Sequence, residues 1–426
     1  MRRLCLKKIG PITEEATIEF DRFCVLIGPQ SSGKSTIAKI LSTCMWLEKE
    51  VCTTLDTNPL KQNLSFKDLI EDFHRIHGYI DESSSYIEYE SDFLVIRFDK
   101  KLSIELKKSD DYRRNKILYV PSDRNVITMP DVEKRELSST NFRSFLFDWL
   151  LCRKYFNKKH MADILDLGIK YYFDESLDKD FIMHKNGRSY NLPLYDSSSG
   201  CQSTVPLVLS LAFYTDTYFN VYDKEVSFQS KTNLDELLNK LLREFKLKDL
   251  LKKDSVHKKL AEDIKPIDDI KKQLKQFSLK LARLTKPFSS IFVIEEPEQN
   301  LFPNTQSDLI TYIIKCCNRR HKSSAIVTTH SPYILTTLNN LIYAGIIRED
   351  LSKSGNQAKL DELNSIYHSD CQISPKELSV YAINEGSCRA IINQSTGLID
   401  VNEIDMASEK LSSKFNALYC MHMGRG

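Results

Sequence analysis

Between an apolar run, FCVLI, and a helix-forming stretch, IAKILSTCMWLEKE, the chain reads GPQSSGKST. Gly28-Pro-Gln30-Ser31-Ser32-Gly33-Lys34-Ser35 has the spacing G-x-x-x-x-G-K-[ST], in the strand–loop–helix setting that this pattern needs to hold phosphate. Glycines let successive backbone N–H groups wrap an anion, and the N-terminus of the following helix adds positive potential. Lys34 is placed to reach the β- and γ-phosphates and the Ser35 hydroxyl to ligate Mg²⁺, while Gln30, Ser31, Ser32 and Thr36 complete the cradle.

Two further strand ends carry an acid and a base. IFVIEEPEQ, residues 291–299, is an apolar strand running into carboxylates. Beside a P-loop, Glu295 reads as the Mg²⁺-side residue, directly or through water, and Glu296 as the general base that polarises an attacking water. The Mg²⁺-side position usually holds Asp, so the longer Glu295 is a departure. IVTTHSP, residues 326–332, is a second apolar strand that ends at His330. A histidine at a strand end is more often structural. This one follows Glu296 by about 35 residues across one helix, which assigns it to the γ-phosphate or to the attacking water.

DSSSGCQST, residues 196–204, reads on its own as a Ser/Gly linker. The order changes that reading. P-loop, Ser-Gly cluster, acidic strand end and strand-end histidine together resemble the ABC-type ATPases, and among them the non-transporter branch with the SMC and double-strand-break-repair ATPases. The resemblance implies that Ser198, Ser199, Gly200 and Gln202 open a helix as the signature and touch the γ-phosphate bound by another subunit, with Ser in place of the first signature Gly. EEPEQNLFP and TTHSPYIL are similar to the OLD-like ATPases and the related PtuA and AriA ATPases of bacterial anti-phage systems, where a double Glu followed by Pro-Glu is usual. VPSDRN, residues 120–125, is similar to a Pro-x-[DE]-Arg element of the same proteins, leaving Arg124 between a phosphate or partner contact and a loop anchor. The likeness extends over about residues 1–45, 116–125, 196–213 and 288–345.

What it implies is an ATPase with ATP and Mg²⁺ as ligands, which forms head-to-tail homodimers or larger assemblies and regulates a separately encoded effector such as a nuclease or toxin. The alternatives are a DNA-clamping, repair-like ATPase and an ATP-bound scaffold that does not hydrolyse. OLD proteins continue into a Toprim nuclease with an Asp-x-Asp cluster. Here Glu385-Gly386 is followed by no Asp-x-Asp, and Asp400, Glu403 and Asp405 read as solvated acids, so no intrinsic nuclease is expected.

For the site residues to meet, the expected fold is α/β: a P-loop NTPase of the ABC-ATPase type, with an antiparallel β layer and a helical, short coiled-coil-like insertion. YIEYE, FLVIRFD and KLSIELK alternate as the layer requires, and KILYVPSDRN is a strand broken at Pro121. Residues 140–190 are expected to be mainly helical. Residues 231–286 hold 16 Lys/Arg against 9 Asp/Glu, with leucines at helical spacing and a break at Pro266. They read as two amphipathic helices, either a solvated arm or one facing DNA or a partner. The expected division is 1–213 and 288–345 for the two parts of the ATPase head, 214–287 for the arm, and 346–426 for a small tail subdomain. Gln62 falls in the interval for a glutamine loop, and the aromatic that stacks on adenine is unassigned.

Bulk properties agree. The 426 residues are 41% hydrophobic and 28% charged, with a net charge of +2, so any basic surface must be local. Eleven scattered cysteines without a C-x-x-C pair argue against a zinc ribbon or disulfide framework and suit a reducing cytoplasm. The N-terminus lacks a signal-peptide core and no run reaches membrane-span length, so no membrane partner is expected.

Overall fold

The computed structural model describes residues 2–54, 56, 60, 65–107, 111–132, 139–184, 190–225, 267–319, 322–400 and 412–420. Its central sheet has six strands in the order β15 (Ser387–Ala390), β14 (Leu378–Asn384), β3 (Phe23–Ile27), β13 (Ser324–Thr329), β12 (Ser290–Glu295) and β7 (Lys116–Val120). Neighbours run parallel except β15, which is antiparallel to β14. A parallel sheet is covered on both faces, which is why FCVLI and SIFVIE are apolar without interruption.

Alternate residues divide between two cores. Phe23, Val25, Phe292 and Ile294 pack with α3 (Asn141–Arg153), α4 (Ser199–Ala212), α7 (Pro303–Cys317) and α8 (Pro332–Ser354). Cys24, Leu26, Val293 and Ile326 pack on the other face with α1 (Lys34–Thr54) and α2 (Phe66–His74). That second core is closed by an antiparallel sheet in the order β2 (Ala16–Phe20), β1 (Arg2–Lys7), β4 (Tyr86–Glu90), β5 (Leu94–Asp99) and β6 (Lys101–Leu106), the layer expected from the alternating segments.

Three segments differ from expectation. Among the described residues of 140–190 only α3 is a regular α-helix; β8 (Ala162–Asp163), β9 (Ile169–Asp174) and β10 (Lys179–His184) follow, and β11 (Asn191–Pro193) completes a four-stranded antiparallel sheet. Aromatic residues flank the polar turn between β9 and β10, where Asp174 Oδ1 accepts from Ser176 N–H at 3.1 Å and from its hydroxyl at 2.6 Å, fixing a hairpin instead of a helix. Of the arm expected over 214–287, the described parts run through α5 (Tyr218–Glu225) and α6 (Ile267–Thr285); Leu284 lies in the second core, and Phe277 and Leu281 pack against it. Pro266 and the rest of the arm from residue 226 lie outside the described residues. Finally, the expectation of a separate subdomain over 346–426 meets a different arrangement, because β14 and β15 are strands of the central sheet. Parallel pairing of Val380 with Val25 leaves both fully covered.

Candidate nucleotide site

β3 delivers the P-loop and α1 receives it. Gly28 cannot carry a side chain, because an ideal Cβ would lie 2.0 Å from the carbonyl oxygen of Ile383 in β14. Lys34 opens α1 and is 4% exposed. Its ammonium donates to Gly28 O at 2.9 Å, Pro29 O at 2.6 Å and Ser32 Oγ at 3.4 Å. Burial pushes this amine down to about 8, opposed by the charges of Glu296 and Glu298. Ser32 and Thr36 are buried, Ser35 is half-buried, and Gln30 and Ser31 face solvent. Gly33 O accepts from Ile37 N–H at 3.0 Å, closing the first helical turn, so the amides ahead of it lack helical partners and are free for an anion.

The two acidic strand-end residues behave differently. Glu295 is 4% exposed; Oε1 accepts from the Tyr119 hydroxyl at 2.6 Å and Oε2 from Ser122 N–H at 3.2 Å. Glu296 steps out of the strand with φ 43°, a left-handed conformation that is strained for a non-glycine residue and turns its side chain toward β13. There Oε1 lies 2.9 Å from His330 Nε2. His330 Nδ1 lies 3.0 Å from Gly28 O and 3.3 Å from Lys34 Nζ. A proton on Nε2 is donated to Glu296; Nδ1 donates to Gly28 O when it carries a proton and accepts from Lys34 when it does not. P-loop, acidic strand end and histidine therefore meet in one network.

Sequence reasoning missed two members of this site. Glu298 Oε1 accepts from Thr329 Oγ1 and from His330 N–H, each at 2.7 Å, and so fixes the turn that carries the histidine. Its other oxygen is buried without a hydrogen-bond partner, an orphaned acceptor suited to water. The only local signal was a third acid in EEPEQ. Tyr119, which holds Glu295, carried no signal beyond its place on β7. Gln62 lies outside the described residues.

Ser198 is the N-cap of α4, with Oγ accepting from Cys201 N–H at 3.3 Å. Ser198 and Ser199 are exposed. Gln202 turns back onto its own loop, donating to Tyr195 O at 2.8 Å and Ser197 O at 2.9 Å, so its amide buttresses the cap. An ideal Cβ on Gly200 would lie 2.8 Å from Asn300 O, so the helix start rests directly on the turn after Glu296. Arg124 is an anchor: 1% exposed, it donates to backbone carbonyls of both α4 and the Glu295–Pro297 segment. Desolvation pushes its guanidinium down to about 10, opposed first by Glu298.

Mg²⁺ takes hard oxygen ligands, keeps several waters, and binds through one or two protein oxygens plus substrate phosphates. Ser35 and Glu295 supply such oxygens. Because both Glu295 oxygens already accept from protein donors, that residue fits a role through water. Among the described residues no group of three or more His, Cys, Asp or Glu forms a metal site of protein ligands alone.

Residues 277–335 match the family model of an AAA ATPase domain. That segment contains β12, Glu295, Glu296, Glu298 and His330. Taken with the P-loop and the mainly parallel central sheet, it gives the α/β fold of a P-loop ATPase domain. No curated relative matches the chain. Among solved structures, the SMC head domain from Thermotoga maritima is similar at 11% identity and TM-score 0.36, over 91% of this chain and 97% of that one. The Smc head of Pyrococcus furiosus with an extended coiled coil, bound to the C-terminal domain of ScpA, matches at 9% and 0.36, over 97% and 100%. The recombination mediator protein RecF matches at 11% and 0.30, over 91% and 97%. At those scores the likenesses bear on neither chemistry nor assembly. Among the described residues no helix is long and apolar enough to cross a membrane.

Proposed function

We propose that the protein binds ATP with Mg²⁺, hydrolyses it, and uses the cycle to switch its own assembly. The observation that carries this is the hydrogen-bonded network of Lys34, Glu296 and His330, drawn from three separate elements. Lys34 exchanges the carbonyls of Gly28 and Pro29 for phosphate oxygens, whose charge a buried ammonium is suited to stabilise. Glu296 accepts the proton of an attacking water, and His330 holds that carboxylate in place. When bound, Mg²⁺ neutralises charge building on the phosphates.

Ser198 and Ser199, exposed at the start of α4, are the surface we assign to the nucleotide of a second copy, giving a head-to-tail pair. A phosphate touched by both copies binds the closed pair more tightly than the open one, and that difference shifts the population. The switch would act in the cytoplasm, regulating a separately encoded effector such as a nuclease or toxin in anti-phage defence. This part rests on the likeness of EEPEQNLFP and TTHSPYIL to ATPases of those systems.

The deciding experiment is mass by light scattering with and without ATP-Mg²⁺, for wild type and Glu296→Gln, alongside phosphate release. ATP-driven assembly that Glu296→Gln traps supports the switch. A mass that ignores ATP, with no phosphate released, rejects it.

A further inference from the structure

We infer that Arg124 is a positioning residue that ties the start of α4 to the turn bearing Glu296, so that the two move as one body. From inside, Nε donates to Ser203 O at 3.0 Å, one terminal nitrogen to Glu295 O at 2.9 Å and Pro121 O at 3.3 Å, and the other to Glu296 O at 2.9 Å and Pro297 O at 3.3 Å. A planar guanidinium with five donors can span these carbonyls at once; an ammonium cannot. The outer side is closed by Gly200, whose hydrogen in place of a Cβ lets α4 rest on Asn300 O. The turn held between them is built from two left-handed residues, Glu296 at φ 43° and Asn300 at φ 60°, so its shape depends on what clamps it.

Arg124 itself is fully covered and acts through Glu296, whose carbonyl it holds while the carboxylate meets His330. On the ATPase reading proposed above, on which this inference rests, the start of α4 serves the nucleotide of one copy and Glu296 that of the other. A rigid tie between them makes the two nucleotides of a pair sense each other, and by linkage the coupling is reciprocal.

The test is Arg124→Lys in the full chain, after wild type has been shown to bind a fluorescent ATP analogue and release phosphate. A wild type that does neither fails the ATPase reading and not this one. Affinity for the analogue should stay within about 2-fold, because the P-loop is untouched, while kcat falls about 100-fold through misplacement of Glu296. A wild-type Hill coefficient above 1 for ATP should fall to about 1. Unchanged kcat per folded molecule, or an unchanged Hill coefficient, overturns the inference, even if the urea midpoint drops as for any buried arginine. Should Arg124→Lys fail to fold, hydrogen exchange of wild type decides. Residues 199–205 and 296–301 gaining protection together on ATP-Mg²⁺ supports the tie; protection of 296–301 alone overturns it.

Discussion

Nε2 of His330 lies 2.9 Å from Oε1 of Glu296, and the other ring nitrogen lies 3.3 Å from the Lys34 ammonium. The imidazole thus joins the proposed base to the proposed phosphate ligand. His330→Ala should lower kcat about 100-fold and Glu296→Gln by about 100- to 10,000-fold, with ATP affinity nearly unchanged in both. Phosphate-release kinetics beside analogue binding measure this. A His330→Ala enzyme with wild-type kcat would make the pair structural.

Lys34 gives a pH signature. Burial brings its amine from 10.5 down to about 8 in the folded chain. Between those values the unfolded chain holds a proton that the folded chain lacks. Unfolding therefore takes up a proton, and stability rises as pH climbs from about 8 toward 10.5. Burial holds Lys49 near 8 as well, so Lys34→Met should shrink that rise rather than abolish it, and saturating ATP should remove the same Lys34 share by restoring the charged amine. Urea midpoints at about pH 7.5 and about pH 9.5 suffice to see it. A rise of undiminished size in Lys34→Met would assign it to Lys49 or another group.

Tyr119→Phe removes the shorter of two hydrogen bonds to a buried carboxylate. The expected loss is about 1–3 kcal/mol of unfolding free energy, the cost of leaving a buried acceptor underserved. An unchanged urea midpoint would mean that water replaces the hydroxyl.

Gly28→Ala sets a methyl 2.0 Å from Ile383 O, a backbone atom that cannot rotate away. Either β14 separates from β3 or the P-loop deforms. The variant should lose about 1–3 kcal/mol and bind the ATP analogue weakly. Wild-type affinity with wild-type stability would show that the contact relaxes freely.

What could be read in the sequence were features confined to short stretches. The P-loop, both strand ends and the capped helix start each pack their chemistry into under ten consecutive residues, and alternation alone announced the layer of β4, β5 and β6. The missing parts are pairings between distant stretches. Tyr119 meets Glu295 176 positions away, and Arg124 reaches Ser203, 79 positions on, and Glu296, 172 positions on. VPSDRN left a loop anchor as one reading of Arg124, but nothing local names its partners, which are backbone carbonyls that any sequence offers. The β9–β10 hairpin was overlooked for another reason: its aromatic residues suit a helix face or a strand, and the Asp174 turn decides between them.

The place of β3 in the sheet also has a consequence for biosynthesis. Residues 23–27 find their strand partners at 325–329 and 378–382, which are 302 and 355 positions downstream. The P-loop emerges from the ribosome well before the strands that shape it, including Ile383 against Gly28. A nascent or truncated chain ending before residue 378 carries the whole motif and no finished site. On the proposed ATPase reading, nucleotide capture then waits until β14 has been made and paired with β3, and stalled nascent chains that end before residue 378 yet bear an ATP analogue would show otherwise.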